Sequence, residues 1–288
     1  MEHGEPSWTA RATAYARAYH QIADEPLIFT DPLASRLLGV TDDKLAELDA
    51  TALARPGQDA ETTRQRRLFL AARSRFAEDT VHEAFASGVR QVVILGAGLD
   101  TFAYRNPHPE LRVFEVDHPA TQAWKRERLT ASGIALPASL VFAPVDFETG
   151  TLAAGLADAG FDRSQPAVFV WLGVIFYLTT EAITGTLEYV AGQSDSVLVF
   201  DYLQPAADDA DRADMRARSE RLAAIGEPFL SVFTPTQIAE RLRAAGFTRI
   251  EDHSAPDLID GYRGAAAAEH PLRPTQVLRS ARILRAAR

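Results

Sequence analysis

The chain contains no cysteine in its 288 residues, which excludes disulfides, a cysteine nucleophile and thiolate metal ligation. Lysine is almost absent as well. Lys44 and Lys125 are the only two, and arginine carries nearly all the basic charge, so a single arginine says little about function. Cations are also outnumbered: 30 Lys and Arg against 39 Asp and Glu leave a formal net charge of -9. No broad positive field is available for nucleic acid or an anionic membrane. Long apolar runs are missing too. The longest, "AVFVWLGVIFYL", is too short to span a bilayer, and "MEHGEPSWTARATAYARAYH" has no apolar core of signal-peptide length. No H-E-x-x-H arrangement points to a metal, and H-x-E, at His3-Gly4-Glu5 and His108-Pro109-Glu110, has no cysteine to complete a zinc signature. These absences lead to the expectation of a cytoplasmic protein whose partner is a small molecule.

What is present has two grammars. Up to about Asp79 the pattern is helical, broken by Pro26, Pro32 and Pro56, with "RQRRLFLAARSRFAEDTVHEAF" as its longest segment. After Gly88, short Val/Ile/Phe-rich runs alternate with helical stretches. Strands are expected at Gln91–Leu95, Arg112–Val116, Leu140–Pro144, Ala167–Leu172 and Val197–Tyr202, with helices near Ala120–Ser132, Thr151–Ala159 and Glu181–Ala191. A further strand at Phe247–Asp252 and an apolar segment at Val277–Leu284, placed to pair antiparallel, bring the number of strands to seven. Such alternation predicts an α/β fold with a mostly parallel sheet. Residues 1–88 then form an N-terminal helical cap and 89–288 the ligand-binding domain. A charged insertion at about 205–228 is either a solvated surface helix or a lid over the strand ends.

The segment "QVVILGAGLDTFAYR" carries the chemistry. A buried strand runs into Gly96 and Gly98, where bare backbone is able to approach a ligand beyond the carboxyl end of the strand. A dinucleotide fingerprint requires a third glycine where Thr101 stands, and Asp100 puts negative charge where a pyrophosphate would need none. A nucleoside with a cationic tail removes the conflict, and S-adenosylmethionine has that shape. Asp117 ends the second strand, about twenty residues past the glycines, where an acid accepts both ribose hydroxyls; Glu115, two residues earlier on the same face, competes for the role. Asp146, after the third strand, is placed to accept from the adenine amine while Phe147 packs against the ring.

These residues carry a family likeness. "VVILGAGLDTFAYR", "VFEVDHP", "PVDFE" and "FVWLGVIFYLT" resemble the leucine carboxyl methyltransferase-like family of class I S-adenosylmethionine-dependent methyltransferases, which includes the tetracenomycin-type carboxyl methyltransferases of bacterial secondary metabolism and many actinobacterial proteins. "PSWTARATAYARA", "FTDPLASRLL" and "RSRFAEDTV" extend the likeness over nearly the whole chain. The resemblance implies a Rossmann-like fold, S-adenosyl-L-methionine as cofactor, Arg73 on its carboxylate, Gly96 and Gly98 along its methionine portion, Asp117 at the ribose, and Asp146 with Phe147 at the adenine. It also implies O-methylation of a carboxylate. Where many relatives carry Glu-Gly after the fourth strand, this chain has Leu172-Gly173, so an acid able to meet the cofactor's amino group is absent there.

A carboxylate nucleophile is ionised at neutral pH and needs no general base, whereas a phenol or alcohol does. Tyr177 and Tyr202, just beyond strand ends, are candidates for shaping the acceptor pocket or taking part in catalysis, and His20 and His253 are the candidate bases. The other readings are an N- or C-methyltransferase, a catalytically altered protein on the same fold, and an NAD(P)-dependent oxidoreductase.

Overall fold

Five runs rich in valine, isoleucine and phenylalanine form the parallel part of the sheet, and all but the half-buried edge run Leu140–Pro144 are buried on both faces, where alternating polar residues are not needed. In the computed structural model, which describes residues 7–54, 59–146 and 149–288, they are β1 (Gln91–Leu95), β2 (Arg112–Asp117), β3 (Leu140–Pro144), β4 (Ala167–Trp171) and β5 (Val197–Leu203). They lie parallel. β6 (Arg249–Ser254) and β7 (Ala281–Ala287) complete a seven-stranded sheet of order β3-β2-β1-β4-β5-β7-β6, in which β7 alone runs antiparallel to its neighbours. Successive connections lead outward from β1 in one direction and from β4 in the other. The gap between β1 and β4 is therefore the switch point, the place where open α/β sheets bind ligands.

The N-terminal helices are α1 (Trp8–Ala23), α2 (Ala34–Leu38), α3 (Asp42–Leu53) and α4 (Ala60–Ala86). α4 buries residues on several sides, among them Leu68, Phe69, Ala72, Phe76 and Val81, since it packs against α1, against two helices from the end of the chain and against the sheet. The crossover helices follow: α5 (Phe102–Arg105), α6 (Pro119–Ala131), α7 (Leu152–Asp158) and α8 (Thr180–Ala191). The insertion after β5 is helical over α9 (Asp209–Ala223). α10 (Pro235–Ala245), α11 (Ala255–Arg263), α12 (Ala265–Glu269) and α13 (Gln276–Ser280) complete the chain. Among the described residues no helix is long and apolar enough to cross a membrane.

Two late boundaries differ from the pattern reading, each for a local reason. Gly246, at φ +106, ends α10 with a bond from the Phe247 amide to the Leu242 carbonyl, so Phe247 is spent on the helix cap and β6 begins at Arg249. The apolar segment at Val277–Leu284 divides: its first residues make the short turn of α13, and only Ala281 onward pairs with β5 and β6.

Candidate active site

The switch point is built from glycines in conformations that side chains disfavour. Gly96 (φ +66) and Gly98 (φ +42) follow β1, and Gly173 (φ +75) follows β4. The Gly96 and Ala97 amides both donate to the Val116 carbonyl, which binds the turn to the end of β2. A Cβ on Gly96 would lie 2.6 Å from Val174 Cγ2, one on Gly98 3.3 Å from the Ala10 methyl, and one on Gly173 3.1 Å from Arg73 Nη2. Helix α1 thus lies over the turn, and Arg73 lies against the end of β4. Arg17 holds α1 there, donating from Nη2 to the Leu99 carbonyl (2.6 Å) and from Nε to Asp31 (3.1 Å).

Asp117 faces the turn. Its Oδ2 accepts from the Gly98 amide (2.5 Å) and its Oδ1 from the His118 amide (2.7 Å). Burial pushes this carboxyl up, and the two amide bonds work against that rise. Glu115, the competitor on the same strand face, is fully buried and bound to Lys125 Nζ at 2.8 Å; burial raises it to about 7 despite the ammonium beside it. His118 caps α6 through Nδ1, accepting from the Ala120 amide at 3.2 Å. Asp146 follows the end of β3, beside that of β2, where the Val145 amide donates to the Asp117 carbonyl at 2.9 Å. It is half-buried and accepts from the Thr149 hydroxyl. Phe147 lies outside the described residues.

Arg73, on α4, is 6% exposed and donates from Nη1 to Asp201, which is 2% exposed and also accepts from the Gly173 amide at 2.6 Å. Its Nε is buried and has no hydrogen-bond partner among the described residues. The edge of the fork carrying Nε and Nη2 is therefore the side on which a second carboxylate fits, the two N–H groups lying parallel. Near it, a mostly apolar cavity of about 20 Å³, which Arg73 does not line, has Ser74, Glu78, Asp100, Val81, Phe102 and Leu172 in its walls, enough for one water or one ammonium group. Burial raises Glu78 to about 7, although Arg105 binds both its oxygens. Arg105 also donates to Thr101 Oγ1 at 3.0 Å; it braces the turn through Glu78 and Thr101, with its Nε 3.4 Å from Asp31, and not through a bond to Asp100.

Of the four catalytic candidates, only Tyr177 lies beside the crevice. It ends the 3₁₀ turn Ile175–Tyr177 after β4 and is half-buried. Tyr202 is displaced by strand alternation: Asp201 faces Arg73, so its neighbour points to the opposite face, where it is 1% exposed and donates to Asp252 at 2.7 Å. His20 is fully buried inside the cap, with Nδ1 on Asp24 (2.9 Å) and Nε2 accepting from the Ile28 and Phe29 amides. His253 lies on the edge strand β6, bound to Glu251 at 2.7 Å and packed edge-on against Phe76.

The family model for leucine carboxyl methyltransferases matches residues 10–191. The chain belongs to this family. It is 34% identical over 281 residues to a Bacillus subtilis protein, YktD, covering 90% of this chain and 92% of that one; the relative's name assigns it provisionally to the S-adenosyl-L-methionine-dependent methyltransferases. A Mycolicibacterium gilvum protein with the same provisional name is 35% identical over 254 residues, covering 83% of this chain and 81% of its own. Among solved structures, a protein from Thermobifida fusca, titled provisionally as a methyltransferase, shares the fold at TM-score 0.59 and 17% identity, covering 100% of this chain and 96% of that one. A DUF574 family protein from Streptomyces avermitilis does so at TM-score 0.57 and 16% identity, covering 98% of both chains. This leucine carboxyl methyltransferase family member is accordingly an S-adenosyl-L-methionine-dependent methyltransferase on a class I α/β fold.

Three residues of the methyltransferase that sequence reasoning passed over lie at or near the crevice. Asp201 had a visible signal: an acid inside the apolar strand "VFDYL" needs a buried partner. Arg66 and Arg218 had none, because arginine is so common in this chain.

Proposed function

We propose that the protein transfers the methyl group of S-adenosyl-L-methionine to an oxygen of a carboxylate on a small metabolite. The observation that carries this reading is the commitment of both candidate bases elsewhere. His20 is bonded on both ring nitrogens within the cap, and His253 is paired on the edge strand, whereas the site end of the sheet presents guanidinium groups and the Tyr177 phenol. Burial pushes Tyr177 up, the wrong direction for a base. A carboxylate acceptor requires no proton removal, so such surroundings suit it.

The residues present fit the cofactor. Arg73 keeps an unpartnered Nε beside Nη2 for a carboxylate. Asp100, beside the small cavity, supplies the negative charge for an ammonium that Leu172 does not. Asp117 spends one acceptor site per oxygen on Gly98 and His118 and keeps others for ribose hydroxyls. Asp146 and Phe147 belong to the adenine end on this reading. When bound, the cofactor supplies a methyl group on a sulfonium sulfur, an electrophile that needs no further activation. The chain's own part is to hold its acceptor in line and exclude water, and effective concentration in such geometry is worth about 7–11 kcal/mol at best. The cap at 1–88 and the insertion at 205–228 enclose the acceptor in this account, and the setting is cytoplasmic.

Incubation with methyl-labelled cofactor and an extract of the source organism tests the acceptor atom. A methyl ester releases labelled methanol on mild alkaline treatment. Label that survives alkali would place the methyl on a phenol, nitrogen or carbon and overturn the carboxylate assignment.

A further inference from the structure

Most buried or half-buried arginines in the chain meet an acid. Arg17 meets Asp31, Arg67 meets Asp24, Arg105 meets Glu78 and Arg263 meets Asp260. Arg66 and Arg218 depart from that pattern: neither forms a hydrogen bond or ion pair with any described residue, although both are half-buried. Arg66 precedes Arg73 by seven residues on α4, two turns along the same face. Arg218 comes from α9 in the insertion and lies over the Phe229 ring at 5.1 Å. The two guanidinium groups lie within electrostatic reach of each other, of Tyr177 and of Arg73, and the Phe229 ring under Arg218 is 5.9 Å from that of Tyr177, so they belong to one neighbourhood.

The segments around these groups form a wall that is tied down. Asp211 binds Arg279 and anchors α9 to α13, and Leu222 is buried beneath it. The chain returning from α9 donates from the Leu230 amide to the Phe176 carbonyl (2.8 Å) and from the Ser231 hydroxyl to the Ile175 carbonyl (3.0 Å). Phe176, Tyr177 and Phe229 pack as a cluster with centroids 4.6–5.9 Å apart. The insertion is therefore part of the wall. The acid-capable groups facing this space are Tyr177 and Glu227, whose buried Oε2 has no partner and which forms no ion pair with either arginine among the described residues. Burial, then the neighbouring guanidinium groups, pulls Arg218 down to about 10, so it stays charged at neutral pH. Two cations held together against their mutual repulsion, with Glu227 nearby but paired to neither, are poised for a second anion.

We infer that Arg66 and Arg218 anchor a carboxylate of the methyl acceptor, with its apolar body against Phe229 and Tyr177. A carboxylate gripped by two guanidinium groups has its lone pairs occupied and is a poor nucleophile, so it is the anchor and not the group methylated. Resting on the function proposed above, this makes the acceptor an apolar dicarboxylic acid and the product its monoester.

The probes are benzoate, phenyl phosphate and the uncharged benzamide, titrated calorimetrically into protein saturated with S-adenosylhomocysteine. Benzoate is expected to bind at least about tenfold more tightly than benzamide, and Arg66→Gln and Arg218→Gln are each expected to weaken benzoate by about tenfold or more. Affinity for S-adenosylhomocysteine should stay within about twofold in both variants, and neither should melt below wild type, because each removes an unpaired cation. Benzoate binding that is absent, no tighter than that of benzamide, or unaffected by either variant overturns the anchor. Phenyl phosphate outcompeting benzoate overturns the choice of carboxylate. If benzoate discriminates but S-adenosylhomocysteine does not bind, the cofactor reading fails and the anchor stands; the reverse result removes the anchor alone.

Discussion

Replacing Asp201 by alanine removes the acid that joins α4 to the end of β4. In the native protein this carboxylate, 2% exposed, receives Arg73 and the Gly173 amide. The variant leaves a guanidinium that is 6% exposed without an acid, and removing one partner of a buried pair costs about 3–5 kcal/mol. Total stability of a domain is only about 5–15 kcal/mol, so the loss is a large share of it. Asp201→Asn keeps an acceptor for Gly173 but drops the charge, and should lose less. Urea unfolding followed by far-UV circular dichroism measures this: with a slope of about 1–3 kcal/mol per molar, the midpoint for Asp201→Ala should fall by more than about 1 M. Adding Arg73→Met to Asp201→Ala should recover part of the loss, because the pair is then replaced by apolar groups and no charge is stranded. A single-variant loss under about 1 kcal/mol, or a double variant less stable than Asp201→Ala, would refute the reasoning.

Asp117→Ala should weaken S-adenosylhomocysteine binding by about 1–3 kcal/mol in calorimetry, whereas Glu115→Gln should leave it unchanged; equal losses would put Glu115 in the site. Gly96→Ala should cost more than about 1 kcal/mol in urea unfolding, since φ is +66 and the new Cβ meets Val174 at 2.6 Å, and a neutral result would mean the turn relaxes freely. The cap should loosen in acid. Against the burial that would raise it, the charges of Arg17 and Arg105 hold Asp31 below its ordinary 3.8, and bonds from His20 and Arg67 do the same for Asp24. A carboxyl depressed in the folded state contributes stability that is complete above 3.8 and lost as pH falls below it. Asp31→Asn should accordingly show a shallower acid loss of the urea midpoint than wild type; parallel profiles would contradict the assignment.

Much of the sheet was legible because period and composition act locally. β1 and β3 begin and end where the apolar runs do, and the positive-φ glycines after β1 do meet Asp117 at the end of β2, as their spacing suggests. The failures share a cause: they depend on which face a side chain takes after packing. Tyr202 stands near a strand end in sequence much as Tyr177 does, yet the inward turn of Asp201 sends it to the opposite face. His20 stands in a segment that covers the site, but its ring is consumed by Asp24 and two amides that no spacing reveals. Arg66 and Arg218 become informative only once their neighbours are seen to contain no partner for them.

The central claim is that Arg73, held on one side by Asp201, grips the amino-acid end of the cofactor with its other edge. Titrating S-adenosylhomocysteine and 5′-methylthioadenosine, which lacks that end, into wild type and Arg73→Lys tests it most directly. The lysine keeps a charge for Asp201 but cannot form the fork, so S-adenosylhomocysteine should lose about tenfold or more in affinity while methylthioadenosine stays within about twofold. Equal losses for both ligands, or none for either, would contradict the account.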